Sequence, residues 1–93
     1  MPRLHCLIRG RVQGVGFRYF AEREATRNHL CGWVRNCREG AVETEVEGPR
    51  KALEQYLAQL RRGPALSYIV DVEEEWEEGE GQYKDFQVRP TAY

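Results

Sequence analysis

Nowhere in the 93 residues do apolar side chains run on for more than a few positions. That excludes a helical membrane span, which needs about 20 apolar residues in succession. The opening Met1-Pro2-Arg3-Leu4-His5-Cys6 has neither an apolar core nor a small-residue cleavage site, so it does not read as a secretory signal, and a cytoplasmic location is expected. Cysteine is scarce and odd in number, three in all, with no C-x-x-C, which argues against a disulfide framework. Cys31 and Cys37 flank one expected strand, which would set them about 20 Å apart against a bridging limit of roughly 7 Å. Free thiols in a reducing compartment are expected. The two histidines, His5 and His29, lack metal-ligand spacing with any cysteine or acid. No Ser/His/Asp or Cys/His constellation for nucleophilic catalysis is evident.

What is present is a soluble globular composition: 41% hydrophobic, 31% charged and 11% aromatic. The length suits a single domain spanning 1–93, with a modest core. The net charge of −1 hides an asymmetry. Residues 1–40 carry eight basic and three acidic side chains, a net of +5. Residues 41–93 carry six basic and twelve acidic, a net of −6. The basic half suits a small anion, and in part the two halves are expected to neutralise each other in the fold. The chain as a whole is too acidic for a generic nucleic-acid binder.

Leu4, Cys6, Ile8 and Val12 alternate with polar residues, a period of two that marks a half-buried strand. Phe17, Phe20, Ala21 and Ala25 share one helical face in a stretch from Arg18 to about His29 without Gly or Pro. Asn28 and His29, both tolerant of the left-handed conformation, end it. Gly32–Asn36 reads as a second strand, Cys37–Gly40 as a hairpin turn, and Val42, Thr44 and Val46 as a third strand. Gly48-Pro49 stops that strand and opens a second helix carrying Leu53, Tyr56, Leu57 and Leu60. Ile69, Val70, Val72 and Trp76 belong to a fourth strand, and Phe86, Val88 and Pro90 to a short fifth one at the edge. The acidic run Glu73–Glu80 reads as a solvated strand end and loop. The order βαββαβ plus an edge strand predicts an α+β ferredoxin-like split βαβ sandwich: an antiparallel sheet with two helices on one face. Phe17 and Trp33 are expected in the core. Arg9 and Arg11 are expected to pair with outward glutamates, and Arg35 and Arg38 to be solvated.

The informative stretch is Gly10-Arg11-Val12-Gln13-Gly14-Val15-Gly16-Phe17-Arg18. It joins a strand to a helix N-terminus. Gly14 and Gly16 let successive backbone N–H groups turn onto one point, forming a nest for an anion backed by the helix dipole. Arg18 adds a planar fork of donors suited to phosphate. A cation at that place opposes the helix dipole and makes sense when an anion lies between. The Walker A pattern is absent, and Tyr19 stands where a dinucleotide fingerprint needs its third glycine. A right-handed crossover puts the first two strands parallel, so that Asn36 at the end of the second faces the loop at the end of the first.

Gly-Arg-Val-Gln-Gly-Val-Gly-Phe-Arg (10–18) followed by Gly-Trp-Val-Arg-Asn (32–36) resembles the acylphosphatase family. The resemblance extends through Glu-Gly-Pro (47–49) and Phe-Gln-Val-Arg (86–89). It implies hydrolysis of the carboxyl–phosphate anhydride of a small acyl phosphate to a carboxylate and inorganic phosphate. Arg18 would bind the phosphoryl oxygens, helped by the backbone amides of Gln13, Gly14, Val15, Gly16, Phe17 and Arg18, and Asn36 would position the attacking water. It implies no metal or organic cofactor, no nucleic-acid or membrane partner, and a monomer. Two positions depart from the family pattern: Asn28-His29, where many members have Leu-Gly, and Cys37, where some have Thr. The alternative is a non-catalytic anion- or ligand-binding module on the same fold. Mere binding needs only the loop and Arg18; having Asn36 as well favours the enzyme.

Overall fold

A computed structural model describes residues 1–92. The elements run β1 (Pro2–Arg11), α1 (Phe17–Arg27), β2 (Cys31–Asn36), β3 (Val42–Glu47), α2 (Arg50–Arg62), β4 (Tyr68–Glu78) and β5 (Phe86–Val88). The sheet order is β4-β1-β3-β2-β5. β1 pairs antiparallel with β3 and β4, and β3 antiparallel with β2. β1 and β2 are therefore parallel with β3 between them, as the right-handed crossover demands. The edge strand β5 is the exception to the antiparallel pattern: it runs parallel to β2, matching Gly32 with Phe86 and Val34 with Val88. The sheet is thus mixed, because the chain returns from β4 to the far edge in an extended connection instead of a hairpin.

The period-two pattern of β1 and β3 sorts their side chains onto two faces. Leu4, Cys6, Ile8, Val34, Val42 and Val46 bury against Ala21 and Ala25 of α1 and Leu53, Tyr56, Leu57 and Leu60 of α2. Thr44 is the polar member of this face, and its hydroxyl bonds the Trp33 carbonyl at 2.7 Å and the Tyr56 hydroxyl at 2.8 Å, so its burial leaves nothing unpaired. Burial pushes the Cys6 thiol up to about 12, which makes it an inert packing group. At the end of α1 only His29 adopts the left-handed region, with φ 56°. Asn28, expected to share that role, keeps a negative φ and instead donates its side-chain amide to the Glu24 carbonyl at 2.8 Å.

The opposite face carries charge in stripes. β4 presents Asp71, Glu73 and Glu77; β1 presents Arg3, His5 and Arg9; β3 presents Glu43, Glu45 and Glu47; β2 presents Arg35. Arg9 pairs with Asp71 at 3.3 Å and Glu73 at 3.1 Å, and Arg3 with Glu47 at 3.4 Å and Glu77 at 3.3 Å. Arg35 pairs with Glu43 at 2.8 Å. The strand order interleaves the basic first half of the chain with the acidic second half, and part of the charge asymmetry cancels strand against strand. Glu73–Glu78 are the last six residues of β4, all paired to β1 with their carboxylates exposed, and Gly79-Glu80 follow as loop, as the sequence predicts; their basic partner strand lies more than sixty positions away. Trp33 also departs from expectation. It is 6% exposed but sits on the charged face, under the Arg35 and Arg89 guanidiniums at 4.7 and 5.0 Å from its ring centre. Its indole N–H donates to the Tyr83 hydroxyl at 3.0 Å. Arginine stacking buries it there without a place in the core.

Candidate active site

The turn after β1 is pinned at both ends. Val12 and Phe17 are 1% and 2% exposed, and Phe17 packs edge-to-face on Phe20 at 5.8 Å. Between these anchors the chain reverses through Gly14 and Gly16, at φ 75° and 77°. A Cβ at either glycine would meet no atom within 4 Å, so they are required for their positive φ and not for space. Gly16 is the N-cap of α1; no side chain caps this end, and no acidic residue stands in the first turn. The first amides of the helix thus have no intrahelical acceptor and carry the positive end of its dipole.

Gly14, Gly16, Phe17, Arg18 and Tyr19 line a cavity of about 110 Å³ together with Val12 and Asn36. Asn36 reaches it because it ends β2 on the same face as Gly32 and Val34, opposite Val42. The backbone carbonyl of Asn36 accepts from the Ala92 amide at 3.0 Å, which holds the strand end from the far side. Arg18 is half-buried. Among the described residues the ion pairs of the molecule use Arg3, Arg9, Arg27, Arg35, Arg50 and Arg61, and Arg18 is in none of them. A guanidinium, the open end of a helix and a side-chain amide converging on a cavity of this size suit one tetrahedral anion and a water beside it.

The structure therefore brings Arg18 and Asn36 to one cavity with Gly14, Gly16 and Phe17. It does not bring Gln13 or Val15 to the cavity wall. Val15 packs on the core, and the Gln13 side-chain amide turns to the β2–β3 hairpin, donating to the carbonyls of Cys37 at 2.7 Å and Ala41 at 2.9 Å. Tyr19, 65% exposed at the rim, was not singled out by the sequence. An aromatic directly after Arg18 in the first turn of α1 was its only signal. Nothing around Cys37, next to Asn36, activates its thiol: burial and the nearby Glu43 carboxylate raise its pKa, against the smaller pull of Arg35. Among the described residues no group of three or more His, Cys, Asp or Glu is placed to hold a metal ion.

Comparisons with known proteins bear on the chain as a whole. The acylphosphatase family profile matches residues 4–88. An acylphosphatase of Pyrobaculum aerophilum is 47% identical over 93 residues, covering 99% of this chain and 98% of that protein. One from Moorella thermoacetica is 46% identical over 92 residues, covering 99% and 98%. The crystal structure of acylphosphatase from Bacillus subtilis superposes with a TM-score of 0.93 at 35% identity, covering 96% of this chain and 99% of that one.

Proposed function

The chain belongs to the acylphosphatase family and carries its hydrolase activity, and we propose that the cavity between the β1–α1 loop and the end of β2 is where a small acyl phosphate is split into a carboxylate and inorganic phosphate. The observation that carries this assignment is the convergence of unpaired Arg18, the uncapped start of α1 and Asn36 on one cavity.

Arg18 and the amides of Gly14, Gly16, Phe17 and Arg18 hold the phosphoryl oxygens, the guanidinium with a two-pronged fork. Asn36 orients a water in line with the acyl oxygen. The water oxygen forms a bond to phosphorus as the phosphorus–acyl oxygen bond breaks, and the electron pair leaves on the carboxylate. The water's proton passes to a phosphate oxygen. Phosphoryl transfer runs through a loose transition state, and a carboxylate is a good leaving group, so positioning and charge stabilisation suffice without a strong base. The same reading takes residues 1–93 as one domain acting as a cytoplasmic monomer without a nucleic-acid partner. The lack of a nucleic-acid partner is supported by the charged sheet face, where Arg3, Arg9 and Arg35 are taken up by carboxylates and leave no basic stripe.

Phosphate release from an aryl acyl phosphate such as benzoyl phosphate, measured with excess chelator, tests the reaction class. Turnover should persist with chelator, and ordinary phosphate monoesters should be left nearly untouched. Equal turnover of both classes, or loss of activity with chelator, would overturn it.

A further inference from the structure

We infer that the side chain of Gln13 is a positioning residue for the hydrolysis, setting Asn36 at the distance from the phosphoryl cradle that attack by water requires. This rests on the assignment of Asn36 to the water made above.

The two halves of the site stand on strands that do not touch. β3 lies between β1 and β2, and its ladder to β1 ends at Ile8 opposite Val42. From Gly10 onward β1 is paired only on its β4 side. No ladder hydrogen bond therefore ties the loop at residues 12–16 to the end of β2. The Gln13 amide makes that crossing. Its one nitrogen donates to Cys37, the residue after Asn36, and to Ala41, the residue before Asn36's cross-strand partner Val42. The Ala41 carbonyl also accepts the Cys37 amide at 2.8 Å, so Gln13 grips both legs of the hairpin at the point where it closes. Asn36 is then held between the Ala92 amide on one side and Gln13 on the other.

The chemistry of the side chain fits this task. Two carbonyls need two donors on one atom, and the neutral amide supplies them without adding charge beside a phosphate. Glutamate would set a carboxylate against two carbonyl oxygens; asparagine is one methylene short. Gln13 does not line the cavity itself, so its effect on the reaction runs through the hairpin.

The test is a double-mutant cycle. Gln13→Met keeps length and volume and removes both donors. We expect it to lower kcat on benzoyl phosphate by about tenfold or more, since a misplacement of about 1 Å can cost on the order of 100-fold, while the Kd for inorganic phosphate moves less than about twofold. In the Asn36→Ala background the same change should move kcat by less than about twofold, because what Gln13 positions is gone. A wild-type kcat in Gln13→Met, an equal loss in both backgrounds, or a loss of phosphate affinity matching the loss of kcat would each overturn the inference. Failure of the underlying assignment looks different: Asn36→Ala would itself keep a wild-type kcat. Should Gln13→Met not fold, the neutral Gln13→Asn, one methylene short of both carbonyls, takes its place in the same cycle, with the same kcat loss supporting the inference and the same three results opposing it.

Discussion

Arg18 and Arg35 come from the same basic half of the chain and are both half-buried, yet they live in opposite surroundings. Arg35 lies on the charged sheet face, bonded to Glu43 and stacked on Trp33. Each arginine stripe there has a carboxylate stripe beside it, and the fold has already supplied the counter-charge. Arg18 lies at the end of the sheet, beside a helix start that is itself positive and uncapped, and no described carboxylate answers it. One region settles its electrostatics within the chain; the other leaves them open, which suits the anion proposed for it. Between these two arginines it is the partner, and not the exposure, that differs.

Arg18→Ala should break the contrast most severely. Removing the guanidinium should cut kcat/KM by on the order of 10³-fold, with loss of phosphate affinity, and lysine should rescue it poorly because a point charge lacks the fork. Steady-state kinetics and phosphate titration, with folding checked by circular dichroism, would show it. Next comes Asn36→Ala, which should lower kcat on the order of 10²-fold while phosphate still binds. Asn36→Asp should also be impaired, since it adds negative charge beside the phosphoryl group.

Filling the uncompleted site should sharpen the contrast. Inorganic phosphate at about 100 times its Kd should stabilise the protein by about 2.7 kcal/mol, raising Tm by about 10–20 °C for a chain of this length, and should inhibit competitively. Thermal melts across a phosphate series would read this, and Arg18→Ala should abolish the rise.

On the charged face the expected effects are smaller and of another kind. Burial pulls the Glu43 carboxyl up, but hydrogen bonds from His5 at 2.6 Å and Arg35 at 2.8 Å outweigh it and hold its pKa below the ordinary 4.5. A depressed carboxylate contributes stability that is fully present above the ordinary value and is lost as pH falls through the lower folded one. Denaturant melts of Glu43→Gln should therefore show a shallower loss of stability between about pH 5 and 3 than wild type. Least of all, Arg9→Ala removes two exposed ion pairs and should barely move the denaturant midpoint, with kcat within about twofold of wild type.

The element order was legible because β1, β3 and the two helices each bury one face, and each keeps its period cleanly. The turn into α1 and its meeting with Arg18 at one cavity were legible because two glycines, a helix start and an arginine fall within five consecutive residues. What escaped the sequence depends on partners far along the chain. Trp33 looks like a core residue until Arg89 is seen above it, 56 positions later. The glutamates of β4 look merely solvated until the arginines of β1 are laid beside them. The Gln13 side chain, counted only for its backbone amide, finds its acceptors 24 and 28 residues on. Period and motif report what a residue's neighbours in sequence require; they carry no record of which strands will lie next to each other.

The interleaved strand order also fixes a timetable. β1 is made first, but its partners appear only at Val42–Glu47 and Tyr68–Glu78. During synthesis this inner strand therefore waits with both edges open, one face apolar and the other basic, until β3 has emerged, and with one edge open until β4 has. Pairings of such long separation are slow to close, and an unpaired apolar strand is a template for other chains. The last long strand to arrive is the acidic one, and a nascent chain cut short before it should be soluble only while something else shields β1.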